Sequence, residues 1–194
     1  MSLKKPVFVT DIDGVLLDFE GAVRRWFSTY YEKEVAPSTM WEFEHSFGVP
    51  KGVVIQMWSE IWDSPLSPLP HAKWFLEEIK ARGFHLRALS KRPKPAGVEA
   101  SMRDLKAAGL VDLFNGIHFQ EHGESKGDIL RYWKATYFID DSFANIYDSL
   151  EESPKTFNFL MDAPYNQSQD IAPPYKRVHT FQEVFNYLDD PEYQ

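Results

Sequence analysis

Short runs of apolar residues alternate along the chain with segments in which apolar residues recur every three or four positions. The short runs predict buried strands, and the three-to-four spacing predicts amphipathic helices. Strands are predicted at 7–10, 84–89, 116–119, 136–139 and 156–161. Helices are predicted at 20–31, 52–62, 71–82, 98–108, 125–133, 143–150 and 180–188. This alternation predicts an α/β fold, with a doubly wound, mostly parallel sheet covered by helices on both faces.

The spacing of the first two predicted strands interrupts this pattern. They lie about 70 residues apart, whereas a strand-helix-strand unit usually takes about 30. The proline-rich segment 64–70 marks the end of the excess. We therefore predict a core domain made of residues 1–20 and 66–194, with a small helical cap, residues 21–65, inserted after the first strand.

Composition excludes several classes of function. The 194 residues carry a net charge of −8, which argues against binding a nucleic-acid polymer through a basic face. Cysteine is absent, so no disulfide or thiolate metal site can form. The sequence shows neither an apolar signal segment nor an apolar run of membrane-spanning length. We expect a cytoplasmic protein without a membrane partner, and a homodimer stays an open alternative.

Acidic residues follow the first predicted strand directly. Asp11 and Asp13 are separated by one residue, and Gly14 comes next. Two carboxylates at the end of a strand repel each other, and a hard divalent cation is the simplest compensation. A strand followed by an ordinary Asp-Gly turn explains the same residues equally well. This segment alone leaves both interpretations open.

Polar residues also stand at the ends of later elements. Ser90 follows the second predicted strand, Asp140 and Asp141 follow the fourth, and Lys126 begins a helix. Because the carboxyl ends of parallel strands share one edge of the sheet, one cleft can collect all of them. Taken singly, they are explained as a loop serine, a solvated lysine and a helix-capping pair.

In this order, the residues resemble the four motifs of the haloacid dehalogenase-like phosphohydrolases. Asp11-Ile12-Asp13-Gly14-Val15 looks like the first motif, and Ser90 is similar to the second. Lys126 fits the third motif, and Ile139-Asp140-Asp141 fits the fourth. The resemblance spans nearly the whole chain. It implies a Mg²⁺-dependent phosphatase that hydrolyses a phosphate monoester.

A closer resemblance is to the 5'(3')-deoxyribonucleotidases. It rests on the segments 13–16, 18–21, 68–70, 139–141 and 163–166. Two positions depart from that branch. His71 replaces a residue that is usually small, and the branch's Thr-Ser-Pro is here Leu89-Ser90-Lys91-Arg92-Pro93. The resemblance implies a nucleoside monophosphate as substrate, and a sugar phosphate or another small phosphometabolite is the alternative.

The resemblance implies distinct roles for the acidic residues. Asp11 attacks phosphorus and forms an aspartyl-phosphate, while Asp13 protonates the leaving oxygen and then activates water. The ligands implied for Mg²⁺ are the Asp11 carboxylate, the Asp13 backbone carbonyl and a carboxylate of Asp140 or Asp141. The family favours Asp140. The Asp13 carboxyl group is expected to stay free for the proton.

Phosphate binding is expected from four residues. The resemblance implies that Ser90 donates to a phosphoryl oxygen and that Lys126 offsets the charge of nucleophile and phosphate. Gly14 and Lys91 are the other two candidates. In one interpretation Lys91 and Arg92 reach a phosphate or a second anionic group, and in the other they belong to a solvated basic loop.

The predicted cap and its approach are rich in aromatic residues. Phe19, Trp58 and Trp62 are candidates for stacking on a flat base, and Trp41 has the same chemistry. Packing inside the cap is the alternative for each tryptophan. Phe19 is the strongest candidate, because it follows the first motif and matches an aromatic residue that the nucleotidase branch uses against the base.

Two rival functions also fit parts of the sequence. Gly123-Glu124-Ser125-Lys126-Gly127 matches the nucleophile elbow of acyl hydrolases, with Ser125 as nucleophile. Four residues separate the preceding strand from Glu124, so the sharp turn from strand to serine is missing and Ser125 is better used as a helix cap. The second rival is a ligand-binding protein without turnover, against which the intact pair of Asp11 and Asp13 argues.

Overall fold

The computed structural model describes residues 5–92, 95–121, 123–168 and 174–190. The six strands of this part are β1 (Val7–Thr10), β2 (His85–Ser90), β3 (Gly116–Phe119), β4 (Tyr137–Asp140), β5 (Phe157–Met161) and β6 (Tyr175–Val178). They form one sheet in the order β3-β2-β1-β4-β5-β6, and all neighbouring strands are parallel. The predicted doubly wound α/β fold is confirmed. The strand order changes direction between β1 and β4, which is where ligands bind in such sheets.

Eight α-helices occur in the described residues. They are α1 (Phe19–Tyr30), α2 (Phe43–Phe47), α3 (Lys51–Asp63), α4 (Ala72–Ala81), α5 (Ala96–Ala107), α6 (Lys126–Trp133), α7 (Phe143–Glu152) and α8 (Phe181–Leu188). None of them combines the length and the apolar character that a helix needs to cross a lipid bilayer. The predicted strands and helices agree with these bounds to within two residues at either end.

One strand and one α-helix of the described residues were not predicted. Strand β6 lies at the edge of the sheet, and its two middle residues, Lys176 and Arg177, are only partly buried. An edge strand of this kind lacks the continuous apolar run that marks the central strands. Helix α2 has five residues, too few for a periodic pattern, and it lies in a segment of prolines and aromatic residues.

Strand β1 occupies the centre of the core. All four of its residues are buried, and successive side chains enter different apolar clusters. Phe8 packs edge-on against Phe75 at 5.7 Å between ring centroids, while Val9 packs in the cluster that contains Phe138. Because β1 pairs with both β2 and β4, the residues that follow it lie between the ends of those two strands.

Helices α1, α2 and α3 form an insertion between β1 and α4. The two segments that connect the insertion to the sheet run side by side: Asp18 N donates to Ser67 O at 2.9 Å, and Leu69 N donates to Leu16 O at 2.8 Å. Inside the insertion, the rings of Phe27 and Phe47 stack at 4.0 Å. Its buried residues are continuous with the apolar cluster on one face of the sheet.

Candidate functional site

Three carboxylates meet at the carboxyl ends of β1 and β4. Asp11, Asp140 and Asp141 are all buried, and each offers an oxygen within 4.8 Å of the oxygens of the other two. Lys126, the first residue of α6, is 1% exposed. Its Nζ donates to Asp11 Oδ1 at 2.7 Å and to Asp140 Oδ2 at 2.6 Å. The fold therefore brings together four of the predicted site residues from three separate segments.

The buried carboxylates repel one another. Burial is the main reason that the pKa of Asp11 rises to about 7; the charges of Asp140 and Asp13 add to the rise, and Lys126 partly offsets it. Burial, followed by the charges of Asp140 and Asp11, holds the pKa of Asp141 well above its usual range. Burial alone would lower the pKa of Lys126, but the Asp11 and Asp140 carboxylates raise it above its ordinary value. One lysine does not balance three ionised carboxylates.

The donor set fits a hard divalent cation. Mg²⁺ prefers oxygen ligands, and a cation beside Asp11, Asp140 and Asp141 relieves the repulsion that adds to the effect of burial on the pKa values of Asp11 and Asp141. Asp140 is held in place by two further donors. Its Oδ1 accepts from Ser142 N at 2.8 Å and from Asn145 Nδ2 at 3.0 Å. These three carboxylates are the side chains that could hold the metal.

Residues after β5 support Asp141 from the other side, and the sequence analysis named none of them as site residues. The Tyr165 hydroxyl donates to Asp141 Oδ2, and Asn166 Nδ2 donates to the Asp141 carbonyl at 2.7 Å. Arg177 Nη1 in turn donates to Asn166 Oδ1 at 2.6 Å. The sequence feature that could have pointed to Tyr165 and Asn166 is the resemblance of segment 163–166 to the nucleotidases. That resemblance does not indicate which residues the two side chains contact.

The backbone of Gly14 lies close to the side chains of Asp141 and Tyr165. Its φ of +72° lies in the left-handed region, and a Cβ atom there would stand 1.9 Å from Asp141 Oδ2 and 2.6 Å from the Tyr165 hydroxyl. Glycine is therefore required both by the backbone conformation and by the space available. Gly48 has a similar φ of +63°, but no atom lies within 4 Å of its ideal Cβ position.

This pair of glycines provides a matched stability test. We expect Gly48→Ala to cost about 1–2 kcal/mol of unfolding free energy, which is the cost of the left-handed conformation alone. Gly14→Ala should cost clearly more, because the new methyl group must also displace Asp141 or Tyr165. Urea unfolding of both variants measures the difference. Equal losses would contradict the close approach at Gly14.

The start of α6 is hydrogen-bonded to α7, and these bonds fix the position of Lys126. The Ser125 hydroxyl accepts from Asp128 N at 3.0 Å and donates to Asp148 Oδ1 at 2.9 Å. Gly127 N donates to Asp148 Oδ2 at 2.9 Å, and a Cβ on Gly127 would lie 2.4 Å from the Asp148 carbonyl. Ser125 therefore acts as a helix cap beside a carboxylate, which is not the geometry of a nucleophile paired with a histidine.

The Asp13 side chain has a partner that was not expected. Arg92 Nε donates to Asp13 Oδ2 at 2.6 Å, and Arg92 Nη2 donates to Asp13 Oδ1, so the carboxylate is not free. Arg92 is 3% exposed, whereas Lys91 beside it is exposed. Ser90 is buried at the end of β2. Pro93, the next residue of this motif, lies outside the described residues.

The predicted aromatic residues pack together. Phe19 is buried and stacks on Trp58 at 5.0 Å between centroids, and Trp58 lies 5.1 Å from Trp62. Trp41 is 43% exposed, lies 5.8 Å from Phe19 and contacts the edge of Tyr165 at 5.2 Å. The cluster therefore reaches from the insertion to the residues that support Asp141.

An open cavity of about 800 Å³ adjoins this region. Its lining includes Gly14, Phe19, Tyr165, Trp74 and His179. The three carboxylates of the cluster do not line it. The cavity therefore borders the candidate metal site at Gly14 and Tyr165, which both lie against Asp141.

Known proteins resemble this chain in fold or in sequence. No protein-family model matches the chain. A haloacid dehalogenase-like family hydrolase from Streptococcus pneumoniae matches 95% of this chain and 99% of its own, with a TM-score of 0.65 and 15% sequence identity. The chain has the haloacid dehalogenase-like fold. The resemblance found in the sequence is thereby confirmed at the level of the fold.

Two further relatives have different names. A Thermotoga maritima structure provisionally named a β-phosphoglucomutase has the same fold, with a TM-score of 0.60, 17% identity and coverage of 94% of this chain and 98% of its own. A Bacillus cereus protein provisionally named a nucleotidase is 25% identical over 173 residues, which are 84% of this chain and 90% of that protein. The names of these two proteins state different activities.

Proposed function

We propose that the protein is a Mg²⁺-dependent phosphatase that hydrolyses phosphate monoesters through an aspartyl-phosphate at Asp11. The observation that carries this proposal is the buried Lys126, which bridges Asp11 and Asp140 while Asp141 completes the carboxylate cluster. Burying four ionisable groups together costs free energy, and clusters of this kind are concentrated at functional sites. A nucleophile, a counter-charge and a metal-binding set at one edge of the sheet meet the requirements of phosphoryl transfer.

The proposed reaction has two steps. A carboxylate oxygen of Asp11 bonds to phosphorus while the bond to the leaving oxygen breaks, and Asp13 gives that oxygen a proton. Asp13 then takes a proton from water, whose oxygen bonds to phosphorus and releases phosphate and the Asp11 carboxylate. Lys126 and Ser90 stabilise the charge on the transferring group. When bound, Mg²⁺ would supply further charge neutralisation for the phosphoryl oxygens.

We propose a nucleoside monophosphate as the substrate class, with a deoxyribonucleotide as the first candidate. The nucleotidase name of the Bacillus cereus relative supports this choice. The aromatic cluster of Phe19, Trp41, Trp58 and Trp62 supports it as well, because aromatic faces stack on nucleobases. The insertion, residues 21–65, would act as the cap that carries the three tryptophans of this cluster. The name of the Thermotoga maritima structure keeps a sugar phosphate as the second candidate.

A substrate panel tests the proposal. We expect release of phosphate from p-nitrophenyl phosphate with Mg²⁺ and loss of that release with EDTA. Among natural substrates, kcat/KM for nucleoside monophosphates should exceed that for sugar phosphates by at least about tenfold, a difference of about 1.4 kcal/mol in transition-state binding. Sugar phosphates that react faster would overturn the nucleotide assignment alone. A folded protein that releases phosphate from no substrate would overturn the phosphatase and favour a binding protein.

A further inference from the structure

Arg92 is a buried cation that the proposed reaction leaves without a role. Its side chain is 1% exposed, and both oxygens of Asp13 accept hydrogen bonds from it, one of them at 2.6 Å from Arg92 Nε. A guanidinium that binds a carboxylate through two parallel bonds fixes the plane of that carboxylate, which a single bond does not. The orientation of Asp13 is therefore set by Arg92.

The insertion and α5 set the position of Arg92 itself. Its guanidinium carbon lies 4.6 Å from the centroid of the Trp62 ring, near the end of α3, and its Nη1 is 3.5 Å from the Gly97 carbonyl in α5. The end of α3 is in turn held by hydrogen bonds from Arg103 of α5. Arg103 Nη1 donates to the Trp62 carbonyl at 3.0 Å, and Arg103 Nη2 donates to the Ser64 carbonyl at 2.9 Å. Arg92 thus lies where the insertion, α5 and Asp13 meet.

We propose that Arg92 is a positioning residue, which orients Asp13 toward the leaving oxygen and is itself placed by Trp62. The proposal rests on the proposed function, because orientation matters only if Asp13 transfers a proton. Two carboxylate oxygens offer about four lone-pair sites, and the Arg92 fork uses one on each oxygen. The remaining lone pairs of the Asp13 oxygens are available for proton transfer. In this proposal Trp62 acts on the reaction through Arg92.

The leaving group separates this role from a structural one. An alkoxide is a poor leaving group and needs a proton as it departs, whereas p-nitrophenolate leaves without one. The ratio kcat/KM reports the steps up to departure of the leaving group and omits the later attack of water. A misoriented Asp13 should therefore lower kcat/KM for an alkyl phosphate much more than for p-nitrophenyl phosphate.

Arg92→Lys keeps the charge and removes the planar fork. We expect it to lower kcat/KM by about 100-fold for the best alkyl phosphate of the panel, a typical contribution of a proton donor, and by less than about fivefold for p-nitrophenyl phosphate. Arg87→Lys is the matched control, because the Arg87 guanidinium also lies 4.6 Å from a tryptophan ring, that of Trp133. The control should leave the ratio between the two substrates unchanged.

A second variant covers the possibility that Arg92→Lys does not fold. Trp62→Leu leaves Arg92 intact and should shift the substrate ratio in the same direction, by a smaller factor. The two substitutions together should lower the ratio by no more than Arg92→Lys alone, since residues that act through one another are not additive. A ratio that Trp62→Leu leaves unchanged would overturn the placement by Trp62.

The remaining outcomes separate this proposal from the function on which it rests. Equal losses on both substrates in folded Arg92→Lys would overturn the positioning role and leave the phosphatase intact. A folded wild-type protein that hydrolyses neither substrate would overturn the phosphatase and the positioning role together. A selective loss on the alkyl phosphate, absent in the Arg87→Lys control, supports the proposal.

Discussion

Asp11→Asn should lower kcat on p-nitrophenyl phosphate by at least about 10⁴-fold, because loss of a nucleophile leaves only the binding contribution to catalysis. The substitution keeps the size of the side chain and removes the charge that attacks phosphorus. It also removes one of the three carboxylates that lie within 4.8 Å of one another. Mg²⁺ affinity, measured by titration calorimetry, should therefore fall as well. Asp112→Asn, at an exposed site far along the chain, is the matched control and should leave both quantities unchanged.

Asp13→Asn sharpens this first prediction. It should abolish turnover too, but Mg²⁺ affinity should fall less than in Asp11→Asn, because the family pattern uses only the backbone carbonyl of Asp13 as a ligand. Equal loss of Mg²⁺ affinity in both variants would contradict this division of roles. Residual turnover by Asp11→Asn near the wild-type rate would contradict the covalent mechanism itself.

Lys126→Met should abolish turnover and also destabilise the protein by about 3–5 kcal/mol near pH 7, which is the cost of breaking a buried ion pair. Lys126 is almost completely buried, and it donates to Asp11 and to Asp140. Without it these carboxylates have lost the buried cation that they share. Urea unfolding gives the free energy, and Lys106→Met, at an exposed position on α5, is the control.

The loss of unfolding free energy caused by Lys126→Met should be larger at pH 7 than at pH 5. Burial raises the pKa of Asp11 from 3.8 to about 7 in the folded protein. Between these values the folded protein binds more protons than the unfolded chain, so its unfolding free energy decreases as the pH rises. Removing Lys126, whose charge lowers the Asp11 pKa, steepens that decrease. The deficit should shrink as the pH falls from about 7 to about 5, and a deficit that grew on acidification would contradict the charge balance.

Much of the candidate site follows from local sequence. Asp11 and Asp140 lie at the ends of apolar runs, and such runs form central strands wherever helices can cover both faces. Lys126 begins a helix whose cap, Ser125, is visible in the sequence because the cap bonds a backbone group three residues away. Strand periodicity and helix capping depend on near neighbours, so they can be read without knowing the packing.

The partners of the acidic residues do not follow in this way. Arg92 reaches Asp13 across 79 positions, and Tyr165 reaches Asp141 across 24. Lys91 and Arg92 are neighbours with similar charge, yet one is exposed and the other buried, because the chain after β2 turns only Arg92 toward Asp13 and Trp62. Which side chain of such a pair enters the core depends on how the insertion packs on α5.

The alternation of strands and helices, the order of the four motifs and the edge of the sheet at which Asp11, Ser90 and Asp140 stand can all be read from the sequence. Hydrophobic periodicity and turn chemistry act over a few residues, and they decide these features. The contact of Arg92 with the Asp13 carboxylate and that of Tyr165 with Asp141 become visible only once the chain is folded. Those contacts join segments that are far apart in the chain, and they exist because the sheet register and the insertion bring the side chains within hydrogen-bonding distance.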